Sequence, residues 1–444
     1  MVPLMGDRGA TIILLLILSI ILVSLPDIGI VKAQDIIYIR SDGSVEGTDK
    51  IQRNGDIYTF TGNISLVIQI QRSNIVVEGV GYTLQGDGEM HGTDIHGRGL
   101  EIVGCKNVTI RNLNIKEFTR GIRFTNSFDC NIYQNSLTNN SIGIEMGYVD
   151  ESYSNNNTVS GNIIKENGAG IRLIYGSSNT IFGNTITAND EGVSVWGTSG
   201  NIIIWNNITN NNRGIYIETS GINIIHHNNF IDNINDWWDY GLTPWPFQLP
   251  FSVNIWDDGI EGNYWSNYDG TDSNGDGVGD TPHNLYENNT DNYPLVAPIY
   301  LFDAGTWEWT QYNVDIISNS TVSDFSFNPE GALIQFNVEG EDGTTGFCRV
   351  TIPKDLLYAE GNWVVFVDGN SVTPRVNEDL NSTYLYFTYD YTTKTIEIRG
   401  TDAIPEFPSW TPTLLILIVL AVTLAIYKRR LPKKLKTQNC PLLF

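Results

Sequence analysis

The sequence predicts an all-β chain: a right-handed parallel β-helix of about 22 residues per coil, then a small β-sandwich domain, then a C-terminal transmembrane helix. Three observations carry this expectation. Glycines at 99, 121, 143, 170, 192 and 214 each open the phrase Gly-apolar-x-apolar, at spacings of 22, 22, 27, 22 and 22. A second phrase, Asn-x-(Val/Ile)-x-x-Asn, keeps the same step through Asn157, Asn179, Asn201 and Asn223, answered by Asn162, Asn184, Asn206 and Asn228. Short alternating runs separated by Gly and Asn turns are a strand signal, and no helical period competes with them. A fixed period means one unit stacked on copies of itself, and a unit this short is a coil, not a propeller blade.

The elements follow in order. Residues 1–33 read as a signal peptide: the apolar run Ala10–Val23 follows Arg8, and Val31-Lys32-Ala33 offers a small-x-small cleavage site before Gln34. The β-helix is expected over 34–235, with Ile57–Phe60, Leu66–Ile70 and Asn74–Leu84 as coils ahead of the glycine series. The coil from Gly143 to Gly170 carries five extra residues, expected to expose a loop with Tyr148, Asp150, Glu151 and Tyr153. A solenoid end exposes core and strand edges, so it needs a cap. Residues 236–299, with Trp237, Trp238, Tyr240, Trp245, Phe247 and Trp256, suit that role.

Seven short β-rich runs over 300–402 point to an Ig-like sandwich, read as a stalk or adhesion module. A Pro-rich linker, 403–412, precedes the uncharged apolar run 413–427, which extends back to Trp410. That run is at the short end for a spanning helix. The basic tail 428–444, with Lys428-Arg429-Arg430, Lys433, Lys434 and Lys436, reads as its cytoplasmic side. The bulk of the chain is therefore expected outside the cell, anchored at the surface by one span.

Composition narrows the partners. The net charge is −24 from 26 basic and 50 acidic residues, and setting the six tail cations aside makes the expected exterior more acidic still. Such a surface repels nucleic acid and anionic lipid. Aromatic residues at 11% and charged residues at 17% exclude a disordered chain. Sequons at Asn63, Asn107, Asn139, Asn156, Asn207, Asn288, Asn319 and Asn381 permit a glycoprotein.

The phase of the repeat sorts its faces. Side chains alternate along a strand, so the apolar residues one and three past each glycine point inward and the residue two past points out. That outward column is Glu101, Arg123, Glu145, Arg172, Ser194 and Tyr216, with Trp196 beside it. We read Glu101, Arg123, Glu145, Arg172, Trp196 and Tyr216 as glycan-binding candidates, against the alternative of a solvated ion-pair ladder. Asn157, Asn179, Asn201 and Asn223 read as a structural ladder, since Asn tolerates left-handed turns and stacked amides bond along an axis.

Cys130 holds the place of a ladder residue and Cys105 lies two residues out of register with it. A Cys105–Cys130 disulfide is therefore one expectation and two free buried thiols the other. Cys348 lies in a strand-like run and is expected buried, and Cys440 falls on the tail. Asp272, Asn274, Asp276 and Asp280, with the Val278 carbonyl, supply oxygens at the spacing of a structural calcium loop. An EF-hand's twelfth-position acid is replaced by His283, and Asp269 and Asp291 are candidates to complete the shell. Met90, His91 and His96 lie in what reads as a plain loop between coils. His226 and His227 are adjacent in a strand, so alternation predicts that they cannot both face one ion. No Ser/His/Asp signature, phosphate loop or CxxC pair appears.

With these motifs in hand, residues of roughly Ile37–Pro294 resemble the parallel β-helix repeat proteins grouped with the NosD family, especially archaeal surface members. The carriers are Asn74–Gly86, the Gly-Ile-x-apolar and Asn-x-Ile repeats, and His227-Asn228-Asn229-Phe230. The closing block adds Trp256-Asp257-Asp258-Gly259, Gly262-Asn263-Tyr264-Trp265-Ser266, the Asp/Gly loop and Asp291-Asn292-Tyr293-Pro294-Leu295. The resemblance implies a carbohydrate-binding or sugar-hydrolase-like β-helix. Namesake members assist copper loading of nitrous oxide reductase, but this chain keeps only Met90 and Met146 in its expected mature part. Pro405-Glu406-Phe407-Pro408, the apolar run and the basic tail resemble the PEF-type C-terminal sorting signal of archaeal surface proteins, which implies a sortase-like processing enzyme as a partner.

Three functions follow as readings. The first is a surface-anchored, non-catalytic β-helix that binds glycan or serves as an envelope component. The second is a lyase, epimerase or hydrolase acting on polysaccharide at the same outward column. Glu101 and Glu145, two coils apart, stand about 9.6 Å apart by strand spacing, which an inverting hydrolase accepts. Arg123 between them favours both staying ionised, which suits a base and not an acid. The third is a copper accessory role.

Overall fold

The computed structural model describes residues 36–89, 97–147, 153–242, 252–307, 309–390, 393–403 and 416–423. Several expectations lie outside those residues: the signal peptide, His91 and His96, the inserted loop apart from Tyr153, Trp245 and Phe247, most of the Pro-rich linker, and the basic tail with Cys440. The chain divides into two compact units. One comprises the residues through Ser266 with His283–Asn292, the other Asn267–Pro282 with the residues from Tyr293 on. The Asp/Gly loop thus folds with the second unit and not with the β-helix cap.

In the first unit each full coil gives one strand to each of three sheets, of ten, eight and nine strands, and the coil strands pair in parallel. The first sheet carries the glycine series in strands such as Arg98–Val103, Arg120–Thr125 and Glu191–Trp196. Residues one and three past each glycine, from Leu100 and Ile102 to Ile215 and Ile217, are buried. The glycines stack on one another. A Cβ on Gly143 would lie 2.6 Å from the Gly170 carbonyl oxygen, and one on Gly192 would lie 2.5 Å from that of Gly214. No side chain fits this column, which is why the residue type returns every coil.

Asparagine fills the corners. Three buried ladders run along the axis: Asn157, Asn179, Asn201 and Asn223; then Asn135, Asn162, Asn184, Asn206 and Asn228; then Asn140, Asn167, Asn189 and Asn211, leading to the half-buried Asn233. Asn184 shows the pattern. Its Oδ1 accepts the backbone N–H and Nδ2 of Asn162, both at 3.0 Å. Its Nδ2 donates to the carbonyls of Val159 at 2.9 Å and Phe182 at 3.2 Å, and to Asn206 Oδ1 at 3.0 Å. Buried corner backbone is thereby satisfied without water.

The left-handed backbone expected of the ladder asparagines belongs instead to the residue before each one. Glu166, Ala188, Trp205, Asn210 and His227 have φ of 57°, 56°, 61°, 55° and 55°. That turn aims the next side chain inward, at a conformational cost of about 1 kcal/mol per non-glycine residue.

The cap takes over where the ladders end. Asn223 Nδ2 donates to Asn254 Oδ1 at 3.0 Å, and Asn254 N donates to Asn289 Oδ1 at 3.0 Å. Asn228 Nδ2 donates to Asn263 Oδ1 at 3.0 Å, and Asn263 N donates to Asp291 Oδ2 at 2.8 Å. Trp265 stacks on Phe230 at 4.4 Å and donates its Nε1–H to Asp291 Oδ2 at 2.8 Å. Trp256 and Trp265 are the buried cap aromatics, while Trp237 and Trp238 continue the first sheet.

The third ladder closes on Asp236, whose Oδ1 accepts from Asn233 Nδ2 at 3.0 Å. Burial pushes the Asp236 carboxyl up to about 6, against the lowering effect of that hydrogen bond. The folded state therefore keeps a proton there that the unfolded chain releases near pH 4. This stabilisation is complete below about pH 4 and is lost as pH rises through about 6, a change of about 2–3 kcal/mol. Asp236→Asn is expected to raise the urea midpoint above that of the native chain at pH 7.5 and to match it near pH 4. Equal midpoint differences at both pH values would contradict this.

The second unit holds two five-stranded antiparallel sheets. One includes Thr310–Ser318, Thr345–Pro353 and Ser382–Asp390, the other Leu333–Glu339, Lys394–Arg399 and Val364–Val367. Ile316, Val350 and Phe387 from the first share one core with Ile334, Phe336 and Ile396 from the second. Cys348 is buried among them, and burial pushes its thiol up to about 11. Residues 416–423 are helical and exposed, and among the described residues no helix is long and apolar enough to cross a membrane.

Candidate functional site

The outward column is in register. Glu101 pairs with Arg123, Arg123 with Glu145, Glu145 with Arg172, Arg172 with Ser194 and Ser194 with Tyr216. It is not, however, a solvated row. Glu101, Arg123, Glu145, Ser194 and Tyr216 are all buried, while Arg172 and Trp196 are half-buried.

Their cover comes from the residue just before each glycine. Strict alternation sends Arg98, Arg120, Glu191 and Arg213 inward, but the strand steps at the stacked glycines, and these side chains emerge on the outer face. Arg98 bonds Glu101, which also accepts from Gln69 Nε2 at 3.3 Å. Arg120 Nε lies 2.6 Å and Arg123 Nε 3.5 Å from Glu145 Oε2. Arg172 and Arg213 both reach Glu191, at 3.4 and 3.6 Å. A charge at this position in four coils is the signal that alternation overrode. Burial, with Arg98 and Arg120 nearby, holds the Arg123 guanidinium below its usual range despite its carboxylate neighbours.

Towards the cap the face becomes aromatic. The Arg172 guanidinium lies 5.0 Å over the Trp196 ring, and Trp196 sits 6.3 Å from Tyr216. Arg213 covers Tyr216 at 5.6 Å and Trp238 at 5.8 Å. Tyr216 donates its hydroxyl to Glu218 Oε2 at 3.2 Å, and burial with that carboxylate pushes its pKa up. Arg172 Nε, Ser194 Oγ and Trp196 Nε1 are buried atoms with no hydrogen-bond partner among the described residues. Three buried polar groups without partners beside one covered aromatic ring leave hydrogen-bonding capacity that the fold itself does not use. A groove of about 620 Å³ on the same unit, lined by Val80, Leu113, Asn114 and Ile163 among others, has no aromatic platform.

His226 and His227 overturn the alternation argument made for them. His226 ends the strand Ile224–His226, while His227 is the left-handed corner residue at φ 55°, which swings its ring back beside its neighbour. The two Nδ1 atoms face each other at 2.5 Å. His227 Nε2 lies 3.2 Å from Glu261 Oε2, and its ring stacks on Trp205, the equivalent corner residue one coil earlier, at 4.5 Å. Burial and the neighbouring ring push His226 down to about 4.

The Cys105–Cys130 disulfide does not form: both are free, buried thiols. Cys130 N donates to Asn157 Oδ1 at 3.0 Å, in the Asn ladder, whereas Cys105 N donates to Ser127 Oγ at 3.3 Å, in a separate hydroxyl column. Different corner columns keep the sulfurs apart, and each thiol donates to a nearby carbonyl, Val103 and Phe128 respectively, at 3.2 Å.

The Asp/Gly loop has the oxygen donors a hard cation requires. Here they are closed on their own chain. Asp272 accepts the amides of Gly275 at 2.6 Å and Gly277 at 2.8 Å, Asp276 Oδ2 accepts from Asn274 Nδ2 at 2.8 Å, and Asp280 Oδ2 accepts from Ser273 Oγ at 2.6 Å. Among the described residues, the group of three His, Cys, Asp or Glu side chains whose donor atoms all lie within 4.8 Å of one another is His226, His227 and Asp258. The loop carboxylates are not such a group.

Residues 59–270 match the family model described as "Periplasmic copper-binding protein (NosD)". No curated protein matches the chain. Among solved structures it is similar to the Dettilon tailspike protein gp208, 13% identical with a TM-score of 0.30, over 74% of this chain and 64% of that one. It is also similar to the A-module of the Azotobacter vinelandii mannuronan C-5 epimerase AlgE6, 14% identical with a TM-score of 0.25, over 40% and 60%. A third is the gp54 tailspike of Acinetobacter baumannii bacteriophage AP22 in complex with A. baumannii capsular saccharide, 12% identical with a TM-score of 0.30, over 77% and 67%. The chain thus spans less than two thirds of the first two.

Proposed function

Residues 59–270 form a NosD-like parallel β-helix, and on that premise we propose that the chain is a cell-surface protein whose first sheet binds an extracellular polysaccharide without transforming it. One observation supports the reading above others: Arg172 Nε, Ser194 Oγ and Trp196 Nε1 are buried without partners among the described residues, with Arg172 lying over the Trp196 ring. A pyranose that displaced the Arg172 guanidinium from the Trp196 ring would stack there and uncover these groups for its hydroxyls, with Arg172 freed to pair a sugar carboxylate. Binding without turnover follows from the carboxylates. Glu101 and Glu145 are buried and held by arginines, so neither presents an acid or base to a glycosidic oxygen.

In this reading the two five-stranded sheets make an Ig-like sandwich that serves as a stalk, and 413–427 is the membrane helix with a cytoplasmic tail, subject to sortase-like processing. Calcium would be held by Asp272, Asn274, Asp276, Asp280 and the Val278 carbonyl, where it would brace the loop.

A glycan array probed with the full chain, followed by a reducing-end assay on each ligand found, tests the proposal. Trp196→Ala and Arg172→Ala are each expected to weaken binding about 10-fold or more while circular dichroism shows the β-helix retained. Retention of full affinity by both variants removes the site. Product release that Glu145→Gln abolishes overturns the binding-only reading in favour of a polysaccharide-active enzyme.

A further inference from the structure

We propose that His226, His227 and Asp258 form a site for one exchangeable divalent transition-metal ion of borderline softness, copper(II) or zinc(II). The site lies at the end of the third sheet, away from the glycan candidates on the first, so the two proposals stand or fall separately.

The geometry carries it. The donor atoms of the three side chains all lie within 4.8 Å of one another. Two imidazole nitrogens at 2.5 Å cannot both keep bare lone pairs pointing at each other; a proton or a cation must lie between them. His227 Nε2 lies 3.2 Å from Glu261 Oε2, so the tautomer that donates Nε2–H to this carboxylate carries its lone pair on Nδ1, beside His226. A carboxylate behind a histidine in this manner is the usual way a metal ligand is oriented and made more basic. Trp205, stacked on the ring at 4.5 Å and 12°, fixes its plane. Asp258 is also set in place: its Oδ1 accepts the amides of Ile260 and Glu261, each at 2.8 Å.

The donor set selects the ion. Two imidazoles and one carboxylate suit zinc(II) and copper(II) better than calcium, which takes oxygen alone, or copper(I), which prefers sulfur. Ligands about 2.0–2.1 Å from a metal stand about 2.9–3.4 Å apart, so loading requires the two rings to open by about half an ångström. Three protein ligands leave a position for solvent, and the exposed Asp258 puts the site in contact with water. Those features describe an ion that exchanges and not one locked in to hold a fold.

The test uses the full chain, stripped with a chelator and kept in millimolar calcium so that oxygen-rich sites are occupied. It is titrated separately with copper(II) and zinc(II) by calorimetry, with copper(II) also followed by electron paramagnetic resonance. One equivalent is expected, with hyperfine coupling to two nitrogens. His226→Gln and His227→Gln are each expected to weaken binding about 100-fold and remove one nitrogen coupling. Glu261→Gln, a positioning change, is expected to weaken binding about 10-fold while keeping both couplings. Circular dichroism establishes that each variant folds; should a histidine variant fail to fold, the exposed Asp258→Asn is expected to lower affinity about 10-fold on an intact fold. Copper(II) bound without nitrogen coupling, or an affinity indifferent to these substitutions, would show that the histidines merely share a proton.

Discussion

Replacement of Asn184 by alanine is expected to cost about 3–6 kcal/mol, more than any change on the solvated surface of the coils. Asn184 is almost fully enclosed. Its removal takes away the acceptor for the N–H and Nδ2 of Asn162 and the donor for the Val159 and Phe182 carbonyls. Each buried polar group stranded in this way costs about 1–3 kcal/mol, and the methyl left behind offers none of them a partner. Asn131→Ala is the matched control, because that side chain is exposed and its loss is expected to change stability by less than about 0.5 kcal/mol. Urea midpoints of the two variants against the native chain measure the difference. Hydrogen exchange should show protection falling first in the coils on either side, since a stacked repeat is held chiefly by its neighbours. Similar losses for both variants would mean that the ladder contributes nothing beyond composition.

Gly170→Ala is expected to cost about 3 kcal/mol, through contact and not through backbone conformation. An added Cβ would lie 2.6 Å from the Gly192 carbonyl oxygen and 3.1 Å from Ile186 Cγ2. The first of these is sheet backbone and cannot rotate away, so adjacent coils must part locally. Gly161→Ala is the informative partner: its φ is 60°, yet nothing lies within 4 Å of the new methyl. There only left-handed strain of about 1 kcal/mol is expected. Thermal melts that rank Gly161→Ala as the more damaging substitution would refute the stacking account of the glycine column.

These two columns were legible in the sequence because each coil repeats the same demand at the same place, one for no side chain and one for an amide. Other features answer to exceptions that periodicity hides. Arg98, Arg120, Glu191 and Arg213 reach the outer face only because the strand steps at a glycine, and their cover is what buries Glu101 and Glu145. His227 meets His226 because it is a corner residue and not a strand residue. Cys105 and Cys130 differ by which corner column they enter, a distinction visible only once the hydroxyl column is seen beside the amide one. In the second unit the hairpin of Ile299–Trp307 and Thr310–Ser318 carries no turn signal, since the sequence between and flanking its strands, 307–310, contains no Gly, Asn, Pro or Asp.

The ladders also have a direction. Every Nδ2 points to the Oδ1 of the following coil, from Asn162 to Asn184 to Asn206 to Asn228. Their side-chain dipoles therefore add head to tail, much as peptide dipoles do along an α-helix, and the positive end faces the cap. There the amide runs of two ladders give way to carboxylates, Asp291 for one and Asp236 for the other. A carboxylate has lone pairs and no amide hydrogen to pass on, so it terminates the chain of donors. An additional coil inserted between Asn263 and Asp291 would lengthen that electrostatic column without altering its ends, whereas one added beyond Asp291 would need its own terminating acid.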